Sequence, residues 1–204
     1  EDKAVSAIND FITNKLQITP SSLLHGKDTR NHATKLRKFG HLKLPKISQN
    51  KVEEITNYLS TKDLSHGYKG DLEVSFRERK ISIYEAKTVL NRANYSIKDL
   101  MSCPHLLNIA NDPKTLAIIE SFLGATPTLM LPSLWWSFAD AKEIGGPQKF
   151  HIDRDDLHFC KLFIYLTDVN EDAGPHTFIE KTHRLETVKN AKGRTPSKSK
   201  KFDD

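Results

Sequence analysis

The sequence predicts an α+β fold in which helices pack against an antiparallel β sandwich. Helical patterns dominate up to about residue 125, short strand-like runs follow, and no internal repeat is visible. The 204 residues suit one domain of moderate size with a helical appendage. We therefore expect a helical part at 1–125 that packs on the sheet, core strands at 126–183, and a basic loop or tail at 184–204.

The composition is that of a soluble protein with a core, because 37% of the residues are hydrophobic and 28% are charged. No apolar run approaches the roughly 20 residues that a membrane span needs. The first residues lack the pattern of a secretory signal. Two cysteines, Cys103 and Cys160, are too few for a disulfide framework. Together these features predict a cytoplasmic location.

The positive charge is concentrated at the C-terminal end of the sequence. Residues 181–204 hold eight Lys/Arg and three Asp/Glu, which accounts for the whole net charge of +5. A basic segment can contact nucleic acid or an anionic substrate, whereas a solvated loop is the commoner interpretation. No set of stacking aromatic residues is interleaved with these cations, which argues against nucleic acid as the partner.

The first half of the chain holds several predicted elements. Residues 4–16 have the spacing of an amphipathic helix, and 19–38 read as a loop with a short helix. Residues 39–45 read as a strand. The next predicted helix has Asn50 as N-cap with Glu53 three residues on. Its expected inner stripe consists of Val52, Ile55, Thr56 and Leu59.

Residues 61–79 are polar and rich in turn formers, so they are predicted to be a loop. Residues 81–91 suit either a strand or a helix. Ser96 can cap a short helix with Asp99 at its third position, and residues 104–110 are another helical piece.

The best-marked helix runs from Pro113 to Leu123. Asp112 is the expected N-cap, Pro113 occupies the first helical position, and Gly124 follows at the C-terminal cap. Its expected stripe is Leu116, Ile119, Glu120 and Leu123, flanked by Ile118 and Phe122.

Strand formers dominate after Gly124. The predicted strands are residues 134–138, 149–153, 159–166 and 176–180, with turns at 145–147 and 170–175. Residues 159–166 are apolar on both faces, so we expect that strand to be buried on both sides.

His151 and Asp153 form a His-x-Asp triplet. Side chains one residue apart on a strand point to the same side, so the imidazole and the carboxylate can share a metal. With a second His from elsewhere they would form the facial triad of non-haem Fe(II) oxygenases. Taken alone, the triplet is equally typical of a surface histidine beside a turn aspartate.

The residues around the triplet resemble the phytanoyl-CoA dioxygenase family. The matching text is Phe150-His-Ile-Asp, then Lys161-Leu-Phe-Ile-Tyr-Leu-Thr-Asp-Val, then Gly174-Pro-His, and finally Thr182-His183. The resemblance covers about residues 39–183 and is specific in 148–183. It implies a dioxygenase that uses Fe(II), 2-oxoglutarate as co-substrate and O₂. It also implies a cupin-like jelly roll, the double-stranded β-helix.

The resemblance implies that His151 and Asp153 are iron ligands and catalytic residues. Since position 153 is a carboxylate and not Ala or Gly, a hydroxylase or desaturase is favoured over a halogenase. Lys161 either pairs with a carboxylate of 2-oxoglutarate or snorkels to the barrel rim. Trp136 either walls the co-substrate pocket or is a core aromatic.

The resemblance assigns no iron to His176 or His183, and His105 and His158 have only structural interpretations. In the family, a distal His and an Arg that clamps 2-oxoglutarate come several strands after the triplet. Only 51 residues follow Asp153, and the last 24 are basic and strand-poor. We therefore expect both residues to be missing, because the sequence lacks its C-terminal part or because it is a degenerate homologue. The first reason is favoured.

Three functions follow as expectations. The first is a dioxygenase that hydroxylates an unactivated C–H of a small organic substrate. The second is a non-catalytic jelly-roll binding module whose basic segment contacts an anionic partner. The third is a metal-dependent, cupin-like isomerase that needs no 2-oxoglutarate. The sequence selects neither the substrate nor an oligomeric state.

Overall fold

The computed structural model describes residues 26–138, 148–149, 151–153, 155, 158–184 and 200–201. Its helices are α1 (Lys27–Phe39), α2 (Gln49–Ser60), α3 (Ile83–Val89), α4 (Ile97–Ser102), α5 (Leu106–Ala110) and α6 (Pro113–Leu123). Its strands are β1 (His66–Lys69), β2 (Leu72–Ser75), β3 (Arg92–Asn94), β4 (Trp135–Ser137), β5 (Thr177–Phe178) and β6 (Lys200–Lys201). This mixture confirms the α+β prediction. The predicted helix at 4–16 lies outside the described residues.

One antiparallel sheet has the order β2-β1-β3-β4, and β5 pairs with β6 in a second one. In the first sheet His66 lies opposite Asn94, and Ala93 lies opposite Trp136. Gly67 is needed on β1, because a Cβ there would lie 2.5 Å from the backbone oxygen of Arg92.

The prediction of a loop at 61–79 is wrong, because β1 and β2 form a hairpin there. Gly70 and Asp71 connect the strands, and Gly70 has a φ of 58°, the left-handed region that tight hairpin turns require. The strands carry mostly polar side chains, so the sequence has no alternating apolar pattern that would predict them. The helical pattern expected to dominate up to about residue 125 is therefore interrupted by this hairpin.

Residues 19–38 were predicted to be a loop with a short helix, and the described residues from 27 on form the 13-residue helix α1. Its buried residues are Ala33 and Leu36, and it packs against α6. Gly40 ends it with a φ of 84° and donates its N–H to the Leu36 carbonyl at 2.8 Å. This small apolar surface is enough to hold the helix in place, because α6 covers it. The pattern of residues within α1 does not reveal a partner that comes from elsewhere in the chain.

The strand predicted at 39–45 is absent: apart from Phe39, which ends α1, these residues belong to no helix or strand. Helix α2 follows, but Ser48 and not Asn50 is its N-cap. Two residues of the predicted stripe, Ile55 and Leu59, are fully buried.

The capped helices are confirmed. Asp112 accepts from the Thr115 N–H at 2.9 Å and Gly124 has a φ of 77°, so α6 begins and ends as predicted. At α4, Ser96 accepts from the Asp99 N–H at 3.1 Å. The ambiguous 81–91 segment is mainly helix α3.

The main core lies between the four-stranded sheet and helices α2, α3 and α4. It consists of Ile55, Leu59, Leu64, Ile81, Ala86, Leu90, Ala93, Tyr95, Leu100, Cys103 and Phe138. No helix in the described ranges is long and apolar enough to cross a membrane.

The strand predictions at 134–138 and 176–180 are confirmed by β4 and β5. Those at 149–153 and 159–166 are wrong for the residues that are described. Leu162, Phe163 and Tyr165 are exposed, so the segment is not buried on both faces. Such burial needs layers on both sides of a strand, whereas this segment is only partly covered, for example where Leu166 packs against the main core. The 170–175 turn contains a 3₁₀ helix, Glu171–Ala173.

Candidate metal and co-substrate site

The imidazole of His151 is oriented by the backbone two residues before it. Its Nδ1 lies 2.7 Å from the Lys149 carbonyl oxygen. Because a carbonyl only accepts, Nδ1 carries the proton, and the lone pair of a neutral ring then lies on Nε2. Lys149 is itself held, since its Nζ lies 3.1 Å from both carboxylate oxygens of Asp71 in the β1–β2 turn.

Nε2 of His151 lies 3.2 Å from Oδ1 of Asp153. With Nδ1 protonated, both facing atoms are acceptors unless a proton or a metal cation lies between them. Adjacent ligands of an octahedral ion with bonds of about 2.1 Å are roughly 3.0 Å apart. Imidazole and carboxylate are also the ligand types of a non-haem Fe(II) site. These two side chains therefore fit an Fe(II) ion.

Lys161 pairs with two aspartates and not with solvent alone. Its Nζ lies 2.9 Å from Asp153 Oδ2 and 2.8 Å from Asp155 Oδ2. Partial burial pushes the pKa of Asp153 upward, but Lys161 and His151 outweigh it, so that pKa is lowered. Burial lowers the pKa of Lys161, but its two carboxylate partners prevail and raise it. No pattern in the sequence singled out Asp155 as a partner of Lys161.

Lys161 does not interrupt a buried strand, because 38% of its side chain is exposed. The co-substrate contact and the snorkelling interpretation of Lys161 both stay predictions, and the structure adds a contact with two carboxylates. The ammonium group holds the carboxylate that faces His151.

His176 lies close to this group. Its backbone N–H donates to the Tyr165 hydroxyl at 2.9 Å, and its ring centroid is 4.6 Å from that of Phe163. Burial lowers the pKa of His176; the charge of Asp153 opposes this, and Lys161 adds to it. Within the described part of the chain, no three His, Cys, Asp or Glu residues are arranged to hold a metal ion.

Trp136 is engaged in the core. Its Nε1 donates to the Tyr95 hydroxyl at 2.8 Å, and that hydroxyl lies 3.3 Å from the Leu59 carbonyl. The ring packs against the main core. This geometry favours the core interpretation, while the co-substrate wall stays a prediction.

Residues 36–204 match the family model described as Phytanoyl-CoA dioxygenase (PhyH). The chain belongs to the phytanoyl-CoA dioxygenase family. This confirms the resemblance seen in the sequence and places the protein in a family of dioxygenases. A search of curated proteins and a search of solved structures each gave no match.

The Thr-His pair that resembles the end of the phytanoyl-CoA dioxygenase motif lies at helix α1. His183 Nε2 donates to the Arg37 carbonyl at 2.9 Å, and Arg184 donates to the same oxygen at 2.6 Å. The Lys181 N–H donates to the Phe39 carbonyl at 3.1 Å. His183 thus satisfies the C-terminal end of α1.

The two histidines for which only structural interpretations were expected have structural contacts. His105 Nε2 lies 2.8 Å from Glu54 Oε2, and the ring of His158 lies 5.1 Å from that of Phe122. Family membership gives neither of them a catalytic role.

Proposed function

We propose that this protein is an Fe(II)- and 2-oxoglutarate-dependent dioxygenase that hydroxylates an unactivated C–H bond of a small organic substrate. The observation that carries the proposal is the 3.2 Å approach of His151 Nε2 to Asp153 Oδ1. Membership of a dioxygenase family supports it. In this proposal the core strands belong to a jelly roll, and the helical part packs against it.

Bound iron would supply the oxidation of the C–H bond, with O₂ and 2-oxoglutarate as co-substrates. His151 would hold the metal through Nε2, because the Lys149 carbonyl keeps the proton on Nδ1. Asp153 would hold it through Oδ1, while Lys161 keeps Oδ2 turned away.

The proposal needs a third protein ligand, which the described residues do not supply. Asp153 is a carboxylate at the position where a halogenase would have a small residue. Hydroxylation is therefore favoured over halogenation. The role of Trp136 as a wall of the co-substrate pocket stays a prediction from the sequence. Its indole N–H already donates to the Tyr95 hydroxyl.

The experiment compares full-length wild-type protein with Asp153→Ala and Asp155→Ala. We expect Fe(II)-dependent release of succinate from 2-oxoglutarate in the wild type and its loss in Asp153→Ala. Asp155→Ala is the matched control: it removes the other carboxylate on Lys161 but no ligand, so most activity should remain. Full-length wild-type protein that binds no Fe(II) would refute the proposal.

A non-catalytic binding module is the second candidate. The observation in its favour is that Lys161 already compensates the charge of Asp153. This candidate predicts full-length protein without bound metal and a salt-sensitive association with polyanions such as heparin. The exposed Lys35, Lys38 and Arg184 on and beside α1 would contribute to such a contact.

A further inference from the structure

Arg92 on β3 is a half-buried cation between two aromatic rings. Its guanidinium carbon lies 4.2 Å from the ring centroid of Trp135 and 5.6 Å from that of Tyr68. Such rings attract a cation through their faces. Among the described residues, no carboxylate lies within ion-pair distance of Arg92, so its charge there is compensated by the rings and by neutral hydrogen-bond partners only. Burial accordingly lowers the pKa of Arg92.

Asn94, two residues along the same strand, occupies one edge of this guanidinium. Its Oδ1 accepts from Nε at 3.2 Å and from Nη2 at 3.0 Å. The other edge, formed by Nη1 and the remaining hydrogen of Nη2, meets no acceptor in the described part of the chain. That edge is a two-pronged donor of the kind that binds a carboxylate.

The amide of Asn94 adds a second donor without an acceptor. Because Oδ1 faces the guanidinium, the orientation of the amide is set and Nδ2 is its other end. Asn94 is 4% exposed, and its Nδ2 has no hydrogen-bond partner among the described atoms. A buried donor without an acceptor is costly. A negatively charged acceptor beside Arg92 and Asn94 would accept hydrogen bonds from the free guanidinium edge and from Nδ2.

A series of ring contacts leads from Arg92 toward the candidate metal site. Trp135, which covers the guanidinium, meets Phe163 edge-on with centroids 6.3 Å apart. Phe163 contacts His176 at 4.6 Å, and His176 in turn is close enough to sense the charge of Asp153. A ligand held by Arg92 would therefore lie on the part of the protein that carries His151 and Asp153.

We propose that Arg92 and Asn94 form a binding site for the carboxylate group of a small organic acid. A planar carboxylate matches the free guanidinium edge, and the flanking rings of Trp135 and Tyr68 favour a flat, weakly hydrated anion over phosphate. The site is separate from the two iron-binding side chains. It uses the half-buried Arg and the unpartnered amide of β3, and it rests on the proposed function only in so far as the acid is the co-substrate or the substrate of that reaction.

The test is an NMR titration of metal-free, full-length protein with acetate, which keeps the result independent of iron. We expect saturable shifts at the Asn94 side-chain amide and the Arg92 Nε–H. Arg92→Lys keeps the charge but loses the fork, and should weaken binding by about tenfold or more. Arg79→Lys is the matched control, because Arg79 is exposed and paired with Glu85, and it should bind as the wild type does.

Asn94→Asp gives a second test that does not depend on added ligand. The new carboxylate would pair with Arg92 and remove the unpartnered amide. We expect a higher melting temperature and no acetate binding. A lower melting temperature together with unchanged acetate binding would overturn the proposal, as would an Arg92→Lys variant that binds acetate like the wild type.

Two sources of the carboxylate can then be separated. Titration with 2-oxoglutarate and with hexanoate compares a dicarboxylic co-substrate with a monocarboxylic substrate. The tighter-binding acid identifies the source. If inorganic phosphate or chloride shifts the same resonances as strongly as either acid does, the assignment to carboxylate is wrong.

Discussion

Lys161 Nζ lies 2.9 Å from Oδ2 of Asp153, while Oδ1 of the same carboxylate faces His151. The lysine therefore determines which oxygen of Asp153 is presented to the imidazole. Asp155 holds the lysine from the other side at 2.8 Å. Hydrogen bonds of this kind to a ligating carboxylate typically tune metal affinity.

Replacing Lys161 by Met should weaken Fe(II) binding by about tenfold, because Asp153 loses the group that orients it. Lys161→Arg should restore most of the affinity. The measurement is a titration of metal-free protein with Fe(II) under anaerobic conditions. The free energy of unfolding should change by less than about 1 kcal/mol, since the side chains in these ion pairs are more than one third exposed. Tighter binding in Lys161→Met would show that the lysine competes with the metal.

Trp136→Phe should lower the free energy of unfolding by about 1 kcal/mol, because the hydrogen bond from Nε1 to the Tyr95 hydroxyl is lost. The 2-oxoglutarate affinity should not change if the ring is a core residue. Urea unfolding of Trp136→Phe, Tyr95→Phe and the double variant gives the coupling energy of the pair. A weaker 2-oxoglutarate affinity in Trp136→Phe would instead support the pocket-wall interpretation.

Asp112→Ala should destabilise the protein by about 1 kcal/mol at neutral pH, because α6 loses its N-cap. The Thr115 N–H lowers the pKa of Asp112. The cap's contribution is therefore full above the ordinary aspartate pKa of about 3.9. It is lost as the pH falls through the lower folded value.

Asp112→Asn is the matched variant, since Asn caps well but does not titrate. Urea unfolding at neutral pH and near pH 3 should show the wild type losing its advantage over Asp112→Ala on acidification. Asp112→Asn should remain more stable than Asp112→Ala at both pH values. An equal loss in both would attribute the acid sensitivity to other groups.

Gly67→Ser should destabilise the protein by about 1–3 kcal/mol through overpacking. A Cβ at this position would meet the Arg92 carbonyl oxygen at 2.5 Å and the Leu90 side chain at 2.7 Å. Gly26→Ser is the control, because nothing lies within 4 Å of its added Cβ and Ser is a good N-cap. Denaturant midpoints measure both, and similar midpoints for the two variants would contradict the close β1–β3 approach.

The local signals in the sequence predicted the capped helices well. Asp112, Pro113 and Gly124 mark α6, and Ser96 marks α4, because a cap is satisfied by residues three positions away. The length of helix α1 and the β1–β2 hairpin were missed, because their stability comes from partners distant in sequence. Leu36 needs α6, and the polar strand β1 needs β3.

The candidate site divides in the same way. The sequence by itself determined the family and singled out His151 and Asp153, since a triplet and its following text are contiguous. Only the tertiary structure decided that Lys161 holds Asp153, that Trp136 binds Tyr95, and that Arg92 lies between Trp135 and Tyr68. Spacing along a chain places neighbouring side chains on one face, whereas the charges and rings that compensate each other here come from separate strands and loops.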